Sequence, residues 1–208
     1  MFIYIKYIAP VAQLDRVSDY ESGGRGFESS PARQTNEIHM EIKSFKDRVD
    51  NFFKWVKGTE LVLLNNIDVN EDPVRPHLDL NFRTSYGRQI YGLAYDDNIE
   101  GIVCVALTDE IPHTEKELEL MSKNSYLEKN STIMIPYTVW SRKRGAGKEI
   151  MKKVINHTIK NMPNIEKIVT LSPLTPMATH YHIRNGAELI SINSETQNFE
   201  YKINRKHD

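Results

Sequence analysis

Arg142-Lys143-Arg144-Gly145-Ala146-Gly147-Lys148-Glu149-Ile150-Met151 joins an apolar run to an amphipathic one. Before it, Ile133-Met134-Ile135-Pro136-Tyr137-Thr138-Val139-Trp140 reads as a strand. After it, Ile150, Met151, Val154, Ile155 and Ile159 recur at helical spacing. A strand therefore enters a basic, glycine-punctuated turn, and the turn opens a helix. Such a turn attracts anions, because the first helical N–H groups have no partner in the ladder and the positive end of the helix dipole points the same way. Gly145 and Gly147 let the backbone approach a phosphate closely. Two well-known phosphate loops do not fit. A Walker loop needs four residues between its first Gly and a Gly-Lys-Ser/Thr, and a dinucleotide fingerprint needs a third glycine.

Outward from this turn, the chain alternates between the two periods. Ile42, Phe45, Val49, Phe52, Phe53 and Val56 predict an amphipathic helix, with Ser44 and Asp47 suited to its first turn and Gly58 to its stop. Glu60 to Ile67 is a short apolar segment, followed by a loop containing Pro73 and Pro76. Strands are expected at Leu78–Phe82, Gln89–Tyr95 and Ile99–Leu107, with Asp96-Asp97-Asn98 as a hairpin signal. A helix is expected over Lys116–Leu127, then the strand at Thr132–Trp140, the basic turn and its helix to Lys160. A strand at Ile165–Leu171, a short helix near Thr179–Asn185, and strands at Glu188–Ile192 and Asn198–Ile203 complete the pattern. The order predicts an α/β (α+β) domain, a mixed, mostly antiparallel sheet flanked by helices.

Composition narrows the function. The chain has 208 residues, enough for one domain with a sizeable core. Lys plus Arg is 27 and Asp plus Glu is 28, so no basic field argues for nucleic acid. Cys104 is the single cysteine, which excludes a disulfide framework and a cysteine-based metal site; its apolar neighbours make it a small core residue. His180 and His182 diverge if they lie on a helix, so no metal is expected. No apolar stretch approaches the length of a membrane span, and the start lacks the features of a signal peptide, so the expected location is the cytoplasm. The sequence does not fix an oligomeric state. Residues 1–39 carry no hydrophobic period and are expected to be a disordered or spurious extension, with the domain running from 40 to 208. Val11–Arg16 and Gly24–Arg33 resemble a transfer-RNA gene translated by mistake: Gly26-Phe27-Glu28-Ser29 can be encoded by the T-arm of such a gene, which would make Met40 the true start.

The Arg142-x-x-Gly145-x-Gly147 turn between strand and helix resembles the pyrophosphate loop of the GNAT superfamily of acyl-CoA N-acyltransferases. The resemblance implies a GNAT-like fold, a coenzyme A thioester as substrate, and cofactor contacts from Arg142, Lys143, Arg144, Gly145, Ala146, Gly147 and Lys148. Three further motifs resemble the C-terminal catalytic domain of malonyl-CoA decarboxylase, a branch of the same fold. They are Val105-Ala106-Leu107-Thr108, Thr170-Leu171-Ser172-Pro173, and Tyr181-His182-Ile183-Arg184-Asn185-Gly186-Ala187. With the loop they span residues 88–193. Here nine residues separate Ser172 from His182, a much shorter connection than in that family, whose helical N-terminal domain is also absent. The resemblance implies Ser172 and His182 as catalytic residues: Ser172 holds the carboxylate or thioester oxygen, and a protonated His182 delivers a proton to C2. Three functions stay open: a malonyl-CoA-decarboxylase-like lyase, an N-acyltransferase with an amine acceptor, and a non-catalytic acyl-CoA-binding module. The transferase needs a base, for which Glu100, Asp109 and Glu110 are candidates.

Overall fold

The structure, a computed structural model, describes residues 58–205 and Val49. The chain divides into two compact units, Met1–Val49 and Asp50–Asp208, and the described residues from 58 onward lie in the second. The extension at 1–39 lies outside the described residues, as does the helix expected from Ile42 to Val56, apart from helical Val49.

The second unit is built on a sheet of eight strands among the described residues. These are β1 (Glu60–Leu64), β2 (Gln89–Tyr95), β3 (Asn98–Thr108), β4 (Ile133–Ser141), β5 (Lys167–Val169), β6 (Ser172–Pro173), β7 (Glu188–Ile192) and β8 (Thr196–Tyr201). The helices are α1 (Leu80–Thr84), α2 (Glu115–Glu128), α3 (Ala146–Asn161) and α4 (Pro176–Arg184), with a 3₁₀ turn at Val69–Glu71. The strand order is β1-β2-β3-β4-β5-β8-β6, with β7 also paired to β8. Pairing is antiparallel except between β4 and β5, so the sheet is mixed and mostly antiparallel, as expected. The β2–β3 hairpin turns at Asp96–Asp97, with Asp96 at a φ of 49°, a conformation that Asp tolerates better than most side chains.

Alternation along the central strands makes two cores. Tyr91, Leu93, Val103, Val105, Met134 and Phe199 face α3, whose Ile150, Met151 and Val154 repeat at helical spacing. Ile90, Ile102, Cys104, Ala106, Ile135 and Tyr137 face the other way, toward α2 and the segment from Ile67 to Phe82.

The expected strand at Leu78–Phe82 is instead the start of α1. Asp79 caps it: its carboxylate accepts from Phe82 N at 2.6 Å. Arg83, fully buried, fixes the preceding turn by donating to Leu78 O at 2.9 Å and Arg75 O at 2.7 Å. The strand expected over Ile165–Leu171 is shorter. Ile165 N closes a turn onto Met162 O, and Thr170 N turns away to Phe199 O of β8 at 2.8 Å.

Two irregularities open the sheet. The β3–β4 register shifts between Cys104, opposite Thr138, and Val105, opposite Pro136, so Tyr137 is the extra residue of a bulge. Tyr137 and Thr138 therefore face the same side. The parallel β4–β5 pairing covers only Ile133 and Met134, and Leu171 N then reaches Pro136 O at 3.2 Å. Beyond that point β4 runs on to Ser141 while the other chain leaves to pair with β8. A cleft opens along β4 from Tyr137 to Ser141.

Candidate active site

The basic turn lies where expected, between β4 and α3. Arg142 N donates to Glu100 O at 2.8 Å and Ala146 N to Lys143 O at 3.2 Å, which curls the chain into the helix. Gly145 is the N-cap with a φ of 88°, a left-handed conformation that costs glycine little. It has no side chain to cap the helix, and Glu149 N is the first to return to Gly145 O. The N–H groups of Gly147 and Lys148 precede the regular ladder and have no backbone partner among the described residues. The loop's side chains divide into two groups. Arg142 donates to Glu71 through Nε at 2.8 Å and Nη2 at 2.5 Å, and Lys143 pairs with Glu100 at 3.3 Å. Arg144 and Lys148 are exposed.

A cavity of about 240 Å³ fills the cleft beside β4. Pro136, Val139, Gly147 and Met151 line it from the α3 face; Pro73, Val74, Tyr137, Thr138 and Trp140 line it from the opposite face. The cavity thus passes the edge of the sheet and touches both layers. Among the described residues, no Lys, Arg, Asp or Glu lines it.

Ser172 and His182 meet in its wall, His182 Nε2 lying 2.8 Å from Ser172 Oγ. Local structure explains how residues ten apart arrive together. Ser172-Pro173 forms β6 against Thr196–Gln197 of β8, and Gln197 Nε2 donates to Pro173 O at 2.9 Å. Thr175 then caps α4, its Oγ1 accepting from Ala178 N, with Pro176 at the first helical position, where no N–H is needed. One turn beyond His182 the helix stops: Gly186 takes a φ of 86° and Ala187 N donates back to His182 O at 3.0 Å. The Asn185-Gly186-Ala187 part of the motif is a helix stop that fixes the histidine's depth.

The pair belongs to a longer chain of hydrogen bonds. Ser172 Oγ donates to Thr170 Oγ1 at 2.9 Å, so its oxygen accepts from His182 Nε2–H. His182 Nδ1 in turn accepts from the Tyr201 hydroxyl at 3.0 Å. The imidazole stacks on Phe199, with ring centres 4.9 Å apart, and is only 5% exposed. Burial pushes its pKa down to about 4 and pushes the Tyr201 phenol up, so both are neutral at pH 7. Burial thus disfavours the expected imidazolium, and no carboxylate among the described residues pairs with the ring to offset it.

The other expected site residues lie elsewhere. Glu100 is buried against Lys143, and Asp109 and Glu110 follow β3 at the end opposite the basic turn; none lines the cavity. Cys104 is buried, and desolvation raises its thiol to about 11, consistent with a core role. His180 is exposed, turned away from His182. Among the described residues no three His, Cys, Asp or Glu side chains cluster as metal ligands, and no helix is long and apolar enough to cross a membrane.

Sequence reasoning missed Thr170, Tyr181 and Tyr201, as well as a buried cluster on the far face. Tyr181 lies beside His182 in the motif; its hydroxyl donates to Gly147 O at 2.7 Å and ties α4 to the basic turn. The cluster centres on Asp72, whose carboxylate accepts from Arg83 Nη2 at 2.9 Å and from Thr138 Oγ1 at 2.9 Å.

No family model matches the chain, and no curated protein matches it. Solved structures do. A GNAT-like decarboxylase, GphF, in complex with isobutyryl-CoA superposes with a TM-score of 0.55 at 11% identity, over 70% of this chain and 100% of that one. A candidate acetyltransferase of the GNAT family from Desulfovibrio desulfuricans gives 0.50 at 8% identity, over 71% and 100%. Malonyl-CoA decarboxylase from Agrobacterium vitis gives 0.47 at 19% identity, over 59% of this chain and 35% of that one. The chain thus spans about a third of the length of that decarboxylase. The mixed sheet split beside β4, with a glycine turn opening a helix at the split, has the GNAT fold.

Proposed function

We propose that this chain binds an acyl-CoA and decarboxylates a malonyl-type thioester. The observation that carries the reading is the Ser172–His182 hydrogen bond, made in the wall of a cavity that no charged side chain among the described residues lines. Gly145, Ala146 and Gly147, with Arg144 and Lys148, hold the pyrophosphate at the start of α3; Arg142 and Lys143 contribute once they release Glu71 and Glu100. The thiol arm enters the cleft and brings the thioester beside Ser172.

An unpaired carboxylate is poorly solvated in such a cavity, whereas carbon dioxide is neutral, so the surroundings favour its loss. The electron pair of the bond between C2 and the carboxylate carbon moves onto C2 and the thioester oxygen as carbon dioxide leaves. The Ser172 hydroxyl turns from Thr170 to hydrogen-bond that oxygen as charge develops. An enolate carbon is a strong enough base to take a proton from a neutral donor. C2 takes the Ser172 proton, His182 Nε2–H restores it, Tyr201 resupplies Nδ1, water reprotonates Tyr201, and exchange of the imidazole proton from Nδ1 back to Nε2 resets the chain before the next turnover. A neutral His182 serves this path, and no carboxylate base is needed. The absence of Glu100, Asp109 and Glu110 from the cavity counts against the transferase alternative.

The test is titration of the chain with coenzyme A, acetyl-CoA and malonyl-CoA, with mass spectrometry of the mixtures afterwards. Binding of all three with conversion of malonyl-CoA to acetyl-CoA is the expected result. Binding without conversion rejects the lyase and sends the search to amine acceptors; no binding by the folded protein rejects the coenzyme A site.

A further inference from the structure

The four residues Asp72-Pro73-Val74-Arg75 cross the cleft on the face opposite α3 and α4. Both charged ends are pinned to β4. The Asp72 carboxylate accepts from Thr138 Oγ1 at 2.9 and 3.0 Å, and Arg75 Nη1 donates to Tyr137 O. Tyr137 and Thr138 are the two bulge residues, so the strap is fixed to the point where the strand kinks. Asp72 also accepts from Val74 N at 2.9 Å and Arg75 N at 3.1 Å, folding the strap on itself. Behind it, Asp72 and Arg83 form an ion pair with both side chains 0% exposed, and Arg75 Nε pairs with Glu115 of α2 at 2.7 Å. Pro73 adds a fixed φ. The polar groups of this segment are spent on anchoring, and what faces the cavity is Pro73 and Val74.

The basic turn, Ser172 and His182 all lie with the α3 face, and the strap lies beyond them across the sheet edge. A thioester that enters from the basic turn and stops at Ser172 therefore projects its acyl substituent toward the strap. We propose that the Pro73–Val74 strap gauges this substituent, so that the site takes malonyl thioesters bearing a short alkyl group at C2. This rests on the acyl-CoA reading above. The wall is apolar, with Trp140 beside it, so an alkyl group gains by leaving water there. The cavity's 240 Å³ also holds the end of the coenzyme A arm, which keeps the group short. The anchoring at both ends gives the wall a fixed position, and a fixed wall discriminates by size.

Binding of decarboxylated products tests the strap without turnover: free coenzyme A, acetyl-CoA, propionyl-CoA, isobutyryl-CoA and the larger 2-methylbutyryl-CoA are titrated into the wild-type chain, Val74→Phe and Val74→Ala. Val74 is half-buried on a surface segment, so both variants are expected to fold, as circular dichroism would verify. In the wild type, affinity relative to free coenzyme A is expected to rise about fourfold for each carbon added to acetyl, the worth of one buried CH₂. Val74→Phe is expected to abolish that rise, and Val74→Ala to extend it to acyl groups larger than isobutyryl. The same rise per carbon in all three proteins, with free coenzyme A still bound, overturns the strap and leaves the coenzyme A site standing. Loss of free coenzyme A binding in the folded wild type overturns both.

Discussion

The turn from Arg142 to Lys148 and the Ser172–His182 pair carry the two halves of the proposed chemistry on opposite physical terms. The turn is exposed, cationic and continuous in sequence, and its work rests mainly on backbone N–H groups at a helix start. The pair is buried and neutral; its partners come from β6, α4 and β8, and its work rests on side chains. In the turn, residue type alone gives the charge. In the pair, surroundings decide it: a histidine that would be partly cationic in water is held neutral by desolvation, and its direction of donation is set by Tyr201 behind it and Thr170 in front.

The largest expected effect separates the two regions by function. Ser172→Ala and His182→Ala are each expected to lower the rate of carbon dioxide release from malonyl-CoA by about 10²–10⁴-fold. Coenzyme A affinity, read by titration, stays near the wild-type value, because neither side chain belongs to the turn. Turnover at the wild-type rate in His182→Ala would make the pair a structural knot, and the contrast would reduce to one functional region.

The next effect tests the neutrality of the pair. The folded His182 pKa is about 4, below the ordinary histidine value near 6.5 that it regains on unfolding. The unfolded chain therefore binds the proton more readily between those values. The stability that neutral His182 contributes is fully present above pH 6.5 and is lost as the pH falls toward 4, by about 3 kcal/mol in all. Urea unfolding at pH 7, 5.5 and 4 is expected to give a steeper loss for the wild type than for His182→Asn. Parallel curves for the two proteins would mean that folding leaves the His182 pKa near its ordinary value, and the proposed proton path would then be shared with an imidazolium below about pH 6.5.

This contrast also explains what could be read in the sequence. The turn was legible because strand, glycines and helix are local patterns, and a helix start needs no distant partner to be an anion site. Ser172 and His182 were legible only through the motifs that carry them, and their contact follows from Gly186 stopping α4 and Gln197 holding β6. Tyr201 and Thr170 were not legible, because a Tyr or Thr on a strand looks the same whether it packs or donates. The helix at Leu80–Thr84 was misread as a strand: its apolar residues alternate, but Asp79 and buried Arg83 supply bonds that override the pattern. Nothing local marks Asp72 as an anchor, since its partners Thr138 and Arg83 are 66 and 11 positions away and meet it only across the bulge.

The smallest effect bears on the Arg142–Glu71 ion pair, which links the turn to the residue before the strap. Arg142 and Glu71 are about 40% exposed, so their bond is expected to add no more than about 1 kcal/mol to stability. Its consequence for binding is separate. Glu71 occupies the guanidinium that a phosphate would use, so ligand and carboxylate compete for one fork of donors. Arg142→Ala is expected to weaken coenzyme A binding, and Glu71→Gln to strengthen it by about two- to fivefold, the range of an exposed pair. Both effects shrink as salt is raised, because the charges involved lie in water. Titrations at low and high salt on the two variants and their double mutant measure the coupling directly. If Glu71→Gln weakens binding as Arg142→Ala does, the pair is a clamp that holds the turn in shape, and the phosphate is left to the backbone of α3 with Arg144 and Lys148. The turn would then resemble the buried pair in one respect: its first charged residue would act by holding structure, and the exposed end of the site would owe its affinity to N–H groups that carry no formal charge.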